Sequence, residues 1–321
     1  MKKISLLAIA ILLFSSHDMF LKQSSHFLAP NTDATIQLFN GTFAESDNII
    51  TRDRMIDASL VGKGKRIPID TSQWTDEGKT TVLKFTTGEA GTWVAGVSTR
   101  ARNIEMDSEA FNRYLEHDGV LDMLTWRKEN DAMGEAAVEK YSKHVKTIFQ
   151  VGEERTEDWK TELGYPIEFI PLSNPYDLNI GDELPVRLLF QGAPLVNQLV
   201  YAGSDAAHDH SHNHDHADGE DHDHTHGTTQ LRTDENGELS MKVDAAGEWY
   251  LRTINLVLSE EEGLTHESNW ATLTFEVKEN GKEVKEKQIA DNQFNGMPSY
   301  VYWIGGLLMF LVLFLIFRKK S

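Results

Sequence analysis

The sequence predicts a mainly β protein of two β-sandwich domains, with a helical insertion in the first and one transmembrane helix near the C-terminal end. Three observations predict it. Short runs of alternating hydrophobicity recur along most of the chain, separated by Gly, Asn and Asp. Residues 107–150 lose that alternation. Residues 300–317 are an 18-residue apolar stretch without a charge.

The chain opens with Met1-Lys2-Lys3, an apolar run from Ile4 to Phe14, then Ser15-Ser16. A basic start, a short apolar core and small residues predict a signal peptide over residues 1–16. The run is too short for a permanent span. Cleavage after Ser16, Ser15 or Phe14 stays open.

The first domain is expected over residues 17–163. Thr35 to Phe39 alternates before Asn40-Gly41, and Thr81 to Phe85 alternates before Gly88-Glu89-Ala90-Gly91 turns into a strand from Thr92 to Val97. The helical insertion covers 107–150. Asp107 or Ser108 caps a first helix through Phe111, Tyr114 and Leu115, Gly119 interrupts it, and Leu121, Leu124 and Trp126 continue a second. Val138, Tyr141, Val145 and Ile148 stand at helical spacing and predict a third, from Glu135 to Phe149.

The second domain is expected over 164–278. Its strands are read at Pro166–Pro171, Leu184–Phe190, Leu195–Tyr201, Leu239–Val243, Glu248–Ile254 and Trp270–Val277, with turns at Gln191-Gly192 and Gly247. Residues 279–299 read as a polar tether. Tyr300 to Phe317 then reads as a transmembrane helix with aromatics at its start, and 318–321 as a basic cytoplasmic tail. These ends predict a single-pass protein of the cytoplasmic (inner) membrane, its body facing the periplasm or outside.

Composition excludes several classes. The 321 residues contain no cysteine, so a disulfide scaffold, an iron–sulfur cluster, a thiol nucleophile and a lipid-anchored cysteine are excluded. The net charge of −19 argues against a nucleic-acid partner.

One segment carries legible chemistry. Residues 204–227 hold eight of the 13 histidines, seven carboxylates and no Lys or Arg. The histidines are His208, His210, His212, His214, His216, His222, His224 and His226, with Asp209, Asp215, Asp221 and Asp223 between or beside them. Neutral imidazole binds Ni(II), Co(II), Zn(II) and Cu(II), and carboxylates add oxygen ligands and attraction for dications. No spacing defines one closed tetrahedral site, so a multi-site, fast-exchanging binder is expected. With almost no apolar residues, the segment forms no core of its own.

His17 is the second metal candidate. Each cleavage option leaves it near a free amine, which chelates a metal together with the imidazole and suits Cu(II) or Ni(II). His26, Glu105, His117 and His144 are further candidates, although His144 reads better as a core histidine. His266 follows an acidic loop and reads as surface.

Four groups of residues also carry a resemblance. These are His17-Asp18-Met19-Phe20-Leu21; then Tyr114 to Gly119, with Arg127-Lys128 and Tyr141 to Lys146; then Pro171-Leu172, Asn174-Pro175, Gly181 to Leu184 and Gln191 to Leu195; and finally Thr233 to Gly237 with Gly247 to Ile254. Over roughly 17–278 the chain resembles a bacterial periplasmic family of unknown function associated with nickel and cobalt uptake transporters. The resemblance implies β-sandwich domains of Ig-like or transthyretin-like type, the second similar to carboxypeptidase regulatory-like modules. It also implies a metal transporter complex as partner. Members carry a histidine where this chain has Asn255, which shifts weight from a preformed nickel site toward the histidine segment.

The expected function is that of a membrane-anchored extracytoplasmic protein that binds a divalent transition metal (Ni, Co, Zn or Cu) and assists its uptake or handling. An envelope adhesion or scaffold module with an incidental histidine segment is one alternative. A copper-dependent enzyme built on His17 is the other. No Ser/His/Asp order, phosphate loop or His-Glu-X-X-His helix is present, so an enzyme is not expected.

Overall fold

A computed structural model describes residues 17–205 and 228–279. The expected signal peptide, the histidines and aspartates from His208 to His226, the expected tether beyond Glu279 and the expected transmembrane stretch lie outside the described residues.

Among the described residues there are eighteen strands: β1 Asp18–Lys22, β2 Phe27–Leu28, β3 Asp33–Gly41, β4 Met55–Gly62, β5 Lys65–Pro68, β6 Trp74–Glu77, β7 Thr80–Thr86, β8 Gly91–Thr99, β9 Arg102–Met106, β10 Ala137–Val151, β11 Ile167–Pro171, β12 Glu183–Phe190, β13 Ala193–Pro194, β14 Leu199–Ser204, β15 Thr229–Arg232, β16 Glu238–Lys242, β17 Gly247–Leu258 and β18 His266–Val277. Two helices, α1 Ser108–His117 and α2 Leu121–Glu129, separate β9 from β10. The mainly β character predicted from period-two patterning is therefore correct.

The strands form three sheets. A ten-stranded sheet has the order β15-β14-β17-β18-β10-β8-β4-β5, with β2 and β9 also paired to β10. One four-stranded sheet has the order β1-β3-β7-β6; the other joins β11, β12, β13 and β16. Residues of alternate parity on the large sheet serve two cores. Phe149, Val151, Trp93, Ala95 and Val97 pack with Met19, Leu21, Ile36 and Leu38 of the first small sheet. Ile148, Val94, Leu273 and Phe275 pack with Ile167, Phe169, Val186 and Leu188 of the second. Successive side chains of a strand point to opposite faces, so the two small sheets cover opposite faces of the large one.

Strand β10 lies at the centre. It pairs with β18 in parallel from Glu139 to Thr147, and antiparallel with β9 and β8. From Ser142 to Val151 every residue is buried. This corrects the third predicted helix. A strand covered on both faces loses the polar/apolar alternation that marks a half-exposed one, and the chance helical spacing of Val138, Tyr141, Val145 and Ile148 took its place.

The β10–β18 pairing also joins the two halves of the chain. The boundary expected at 163/164 falls inside one compact unit that reaches Glu279, and the halves share the ten-stranded sheet. Parallel pairing of distant segments leaves no local pattern in the sequence.

The first two helices lie where expected. The Asp107 carboxylate caps α1, with Oδ1 accepting from the Ala110 amide at 2.8 Å. Gly119, at φ +71°, turns the chain between the helices. Phe111, Leu115 and Leu124 pack on Ile254 and Trp270, so the pair seals one end of the β10–β18–β17 layer.

Candidate functional site

The sequence-predicted ligands separate into two groups. His17 is described: its Nδ1 lies 3.1 Å from Asp47 Oδ2. Among the described residues, no group of three or more His, Asp or Glu side chains converges on a metal-sized site. The remaining predicted ligands fall in 206–227. What the described chain does fix is the anchor of that segment. Strand β14 enters it and β15 leaves it, the two paired antiparallel from Leu199↔Arg232 to Ala202↔Thr229, with β15 at the sheet edge.

His144, His266 and His26 serve the fold. His144 is buried and bonded on both ring nitrogens, to Ser98 Oγ at 2.9 Å and Ser142 Oγ at 3.0 Å. Burial pushes its pKa down to about 4. It is a core histidine as read, but on a strand. His266 corrects the surface reading. It is buried, 4.7 Å from the Phe111 ring, and burial with Arg127 nearby also holds it at about 4. His26 is buried too, with Nε2 3.1 Å from Thr147 Oγ1 and its two ring nitrogens each 3.7 Å from Glu248 or Glu276.

A cleft of about 250 Å³ opens beside His17. Strand β1 explains its position. Met19 and Leu21 are sealed in the core, and Thr272 and Thr274 of β18 donate to the Met19 and Leu21 carbonyls at 2.7 and 2.6 Å. That fixes His17 at the cleft wall, where its carbonyl accepts from Lys143 Nζ. Lys143 also donates to Asn40 Oδ1 at 3.1 Å and lies 4.9 Å over the Trp270 ring.

Lys143 is buried, and burial lowers its pKa to about 8, so the ammonium stays largely charged at neutral pH. Arg54, also buried, donates to the Tyr141 hydroxyl and the Arg100 carbonyl, each at 3.3 Å. Glu139 lines the same cleft. Its Oε1 accepts from Ser268 Oγ and, at 3.3 Å, from the Tyr114 hydroxyl, and burial raises it to about 7.

Sequence reasoning passed over Arg54, Glu139 and Lys143. The available signal was the charge in an apolar β run: Glu139, Lys143 and Lys146 stand in a segment otherwise rich in Val, Ile and Phe. Asn255 is buried, with Nδ2 donating to Gln198 Oε1 at 3.1 Å, and takes part in sheet packing.

A family model described as "Domain of unknown function (DUF4198)" matches residues 14–256. The chain belongs to the DUF4198 family. That description names no activity and no metal. No curated protein matches the chain. Among solved structures, the DUF4198 chain is similar to Escherichia coli α2-macroglobulin activated by porcine elastase, at 9% identity and TM-score 0.19, covering 80% of this chain and 20% of that one. It is also similar to the D0–D1 domain of intimin, at 12% identity and TM-score 0.17, covering 80% and 97%. The adhesin InvE of Yersinia pseudotuberculosis follows, at 13% identity and TM-score 0.18, covering 80% and 58%. The chain thus spans about a fifth of the macroglobulin's length.

Proposed function

We propose that this DUF4198 protein is a membrane-anchored, extracytoplasmic binder of divalent transition metal that assists uptake or handling of nickel or cobalt, or of zinc or copper. The observation that carries the reading is the composition of 204–227, where eight histidines and seven carboxylates occur without a basic residue. Imidazole and carboxylate are the donors these ions take in the absence of thiolate. The insertion point suits the role. A segment tied at both ends to a paired hairpin at the sheet edge leaves the three-layer body intact while it exchanges metal. The apolar stretch 300–317 supplies the membrane anchor in this reading. A transporter complex is the partner, and no reaction is assigned.

His17 fits a resident metal less well. Its imidazole lies against one carboxylate, Asp47, and any further donor has to come from an N-terminal amine freed by cleavage.

The test is native mass spectrometry of the full-length chain with Ni(II), Co(II), Cu(II) and Zn(II) in competition, beside a variant lacking 206–227. Several metal ions per chain, lost in the deletion, are expected. Equal metal uptake by both proteins would sink the reading and return the chain to a scaffold role.

A further inference from the structure

Apart from His17, the cleft is built from residues that the metal reading does not use. Its electrostatics are lopsided. Three cationic side chains line it, Arg54, Arg102 and Lys143, against a single lining carboxylate, Glu139. Arg102 has a partner at the rim, Asp53 Oδ2 at 3.3 Å. Arg54 and Lys143 have no carboxylate within ion-pair distance among the described residues, although Asp18, Asp118 and Glu139 act on Lys143 from farther away; their direct contacts are to hydroxyl, amide and carbonyl oxygens and to aromatic rings. Arg54 is only 7% exposed, and its Nε has no hydrogen-bond partner among the described residues. A buried guanidinium with a spare donor is costly unless an acceptor completes it.

Glu139 does not supply that acceptor. Its Oε1 is taken by Ser268 and Tyr114. Burial favours its protonated form up to about pH 7, which leaves the cleft more cationic still.

The rest of the lining is apolar. Ile49, Ile104, Met106 and Trp270 border the same space, and Ile49 is partly exposed at 38%. Apolar walls with a few convergent polar groups are the usual form of a small-molecule site. Cationic and apolar groups lining one cleft select a ligand with both features.

We propose that the cleft between Arg54, Lys143 and Trp270 binds a small organic carboxylate with an apolar body. The carboxylate completes the Arg54 and Lys143 donors, and the body packs on Trp270, Ile104 and Met106. The proposal stands on different residues from the metal reading, so either can fail alone.

Phenylacetate is a suitable probe, with its neutral isostere phenylacetamide as the control. Calorimetric titration of the purified, metal-free full-length chain is expected to show phenylacetate binding, and phenylacetamide weaker by at least about tenfold, as loss of a charge-assisted hydrogen bond requires. Arg54→Gln and Lys143→Met should each weaken phenylacetate by about tenfold or more. Because both residues are buried, a rim variant guards against misfolding. Ile49→Trp should block binding while its thermal midpoint stays that of the parent. Absence of phenylacetate binding at about 10 mM, below the weak end of specific affinity, would overturn the proposal. Equal affinity for acid and amide, or undiminished binding in folded Ile49→Trp, would do the same.

Discussion

The ammonium of Lys146 lies 3.1 Å from the carboxylate of Glu168, and the two side chains are 1% and 3% exposed. Lys146 sits on the central strand β10 and Glu168 on β11 of a covering sheet, so the pair crosses between layers. Its remaining valences are filled. Lys146 donates to the Thr161 and Phe169 carbonyls at 3.0 and 3.1 Å, and Glu168 accepts from the Leu163 and Gly164 amides at 2.9 and 2.8 Å. A buried charge pair contributes little net stability against an apolar pair, but removing one partner strands the other.

Lys146→Met therefore costs about 3–5 kcal/mol. Adding Glu168→Gln removes the stranded charge and should recover at least about 1 kcal/mol. Urea unfolding of the wild type, the single variant and the double variant checks both statements. A double variant less stable than Lys146→Met would show that the carboxylate is not the source of the loss.

The buried histidines set an acid limit. His144 and His266 are held near 4 when folded, against about 6.5 in an unfolded chain. Between pH 6.5 and 4 the unfolded chain takes up protons that the folded chain excludes. Their contribution is complete above 6.5 and lost as pH falls toward 4, on the order of 3 kcal/mol for each. Glu139, raised to about 7, runs the other way and loses stability as pH rises from 4.5 to 7. Glu248, which burial also raises, opposes the histidines as well, so their contribution is read from the variant against the parent. His144→Gln should flatten the profile between 6.5 and 4.5, read from urea midpoints at stepped pH. An unchanged slope would remove His144 from the account.

Gly119 joins α1 to the sheet as well as to α2. Its carbonyl accepts from the Tyr201 hydroxyl at 2.8 Å, and a Cβ at this position would stand 2.2 Å from that oxygen. The φ of +71° adds backbone strain for any L side chain. Gly119→Ala should cost about 2–4 kcal/mol, since strain and clash add. Gly134→Ala, with nothing within 4 Å of the added carbon, is the control and should stay within about 0.5 kcal/mol of the parent. Equal effects at the two sites would refute the contact argument.

These residues show what the sequence could and could not reveal. A half-exposed strand such as β3 carries the alternation that predicts it, and the Asp107 cap marks α1 one residue before it begins. Strand β10 was hidden because both its faces are covered. The cleft was hidden for another reason. Arg54, Lys143 and Trp270 are far apart in the chain, and the parallel β10–β18 pairing that sets Lys143 opposite Trp270 has no local signature. His266 reads as surface beside its acidic loop, yet it pairs with Glu139 at the start of that same register and is buried under Phe111.

The histidine segment should be separable from the fold. Strands β14 and β15 are already paired at Ala202↔Thr229, so a short turn can replace 206–227 without changing any described register. Loop-closure entropy grows only with the logarithm of loop length, so shortening stabilises slightly if it changes stability at all. Deleting 206–227 in favour of Asn-Gly should keep the urea midpoint within the equivalent of about 1 kcal/mol. It should also abolish binding of several Zn(II) ions at pH 7.5. In the wild type that binding should fade as pH falls through about 6.5, because imidazolium is not a ligand. Calorimetry with ZnCl2 at pH 7.5 and 5.5 on both proteins reads these effects together. Zinc uptake that persists in the deletion, or that is unchanged at pH 5.5, would mean that the histidines of this segment are not its source.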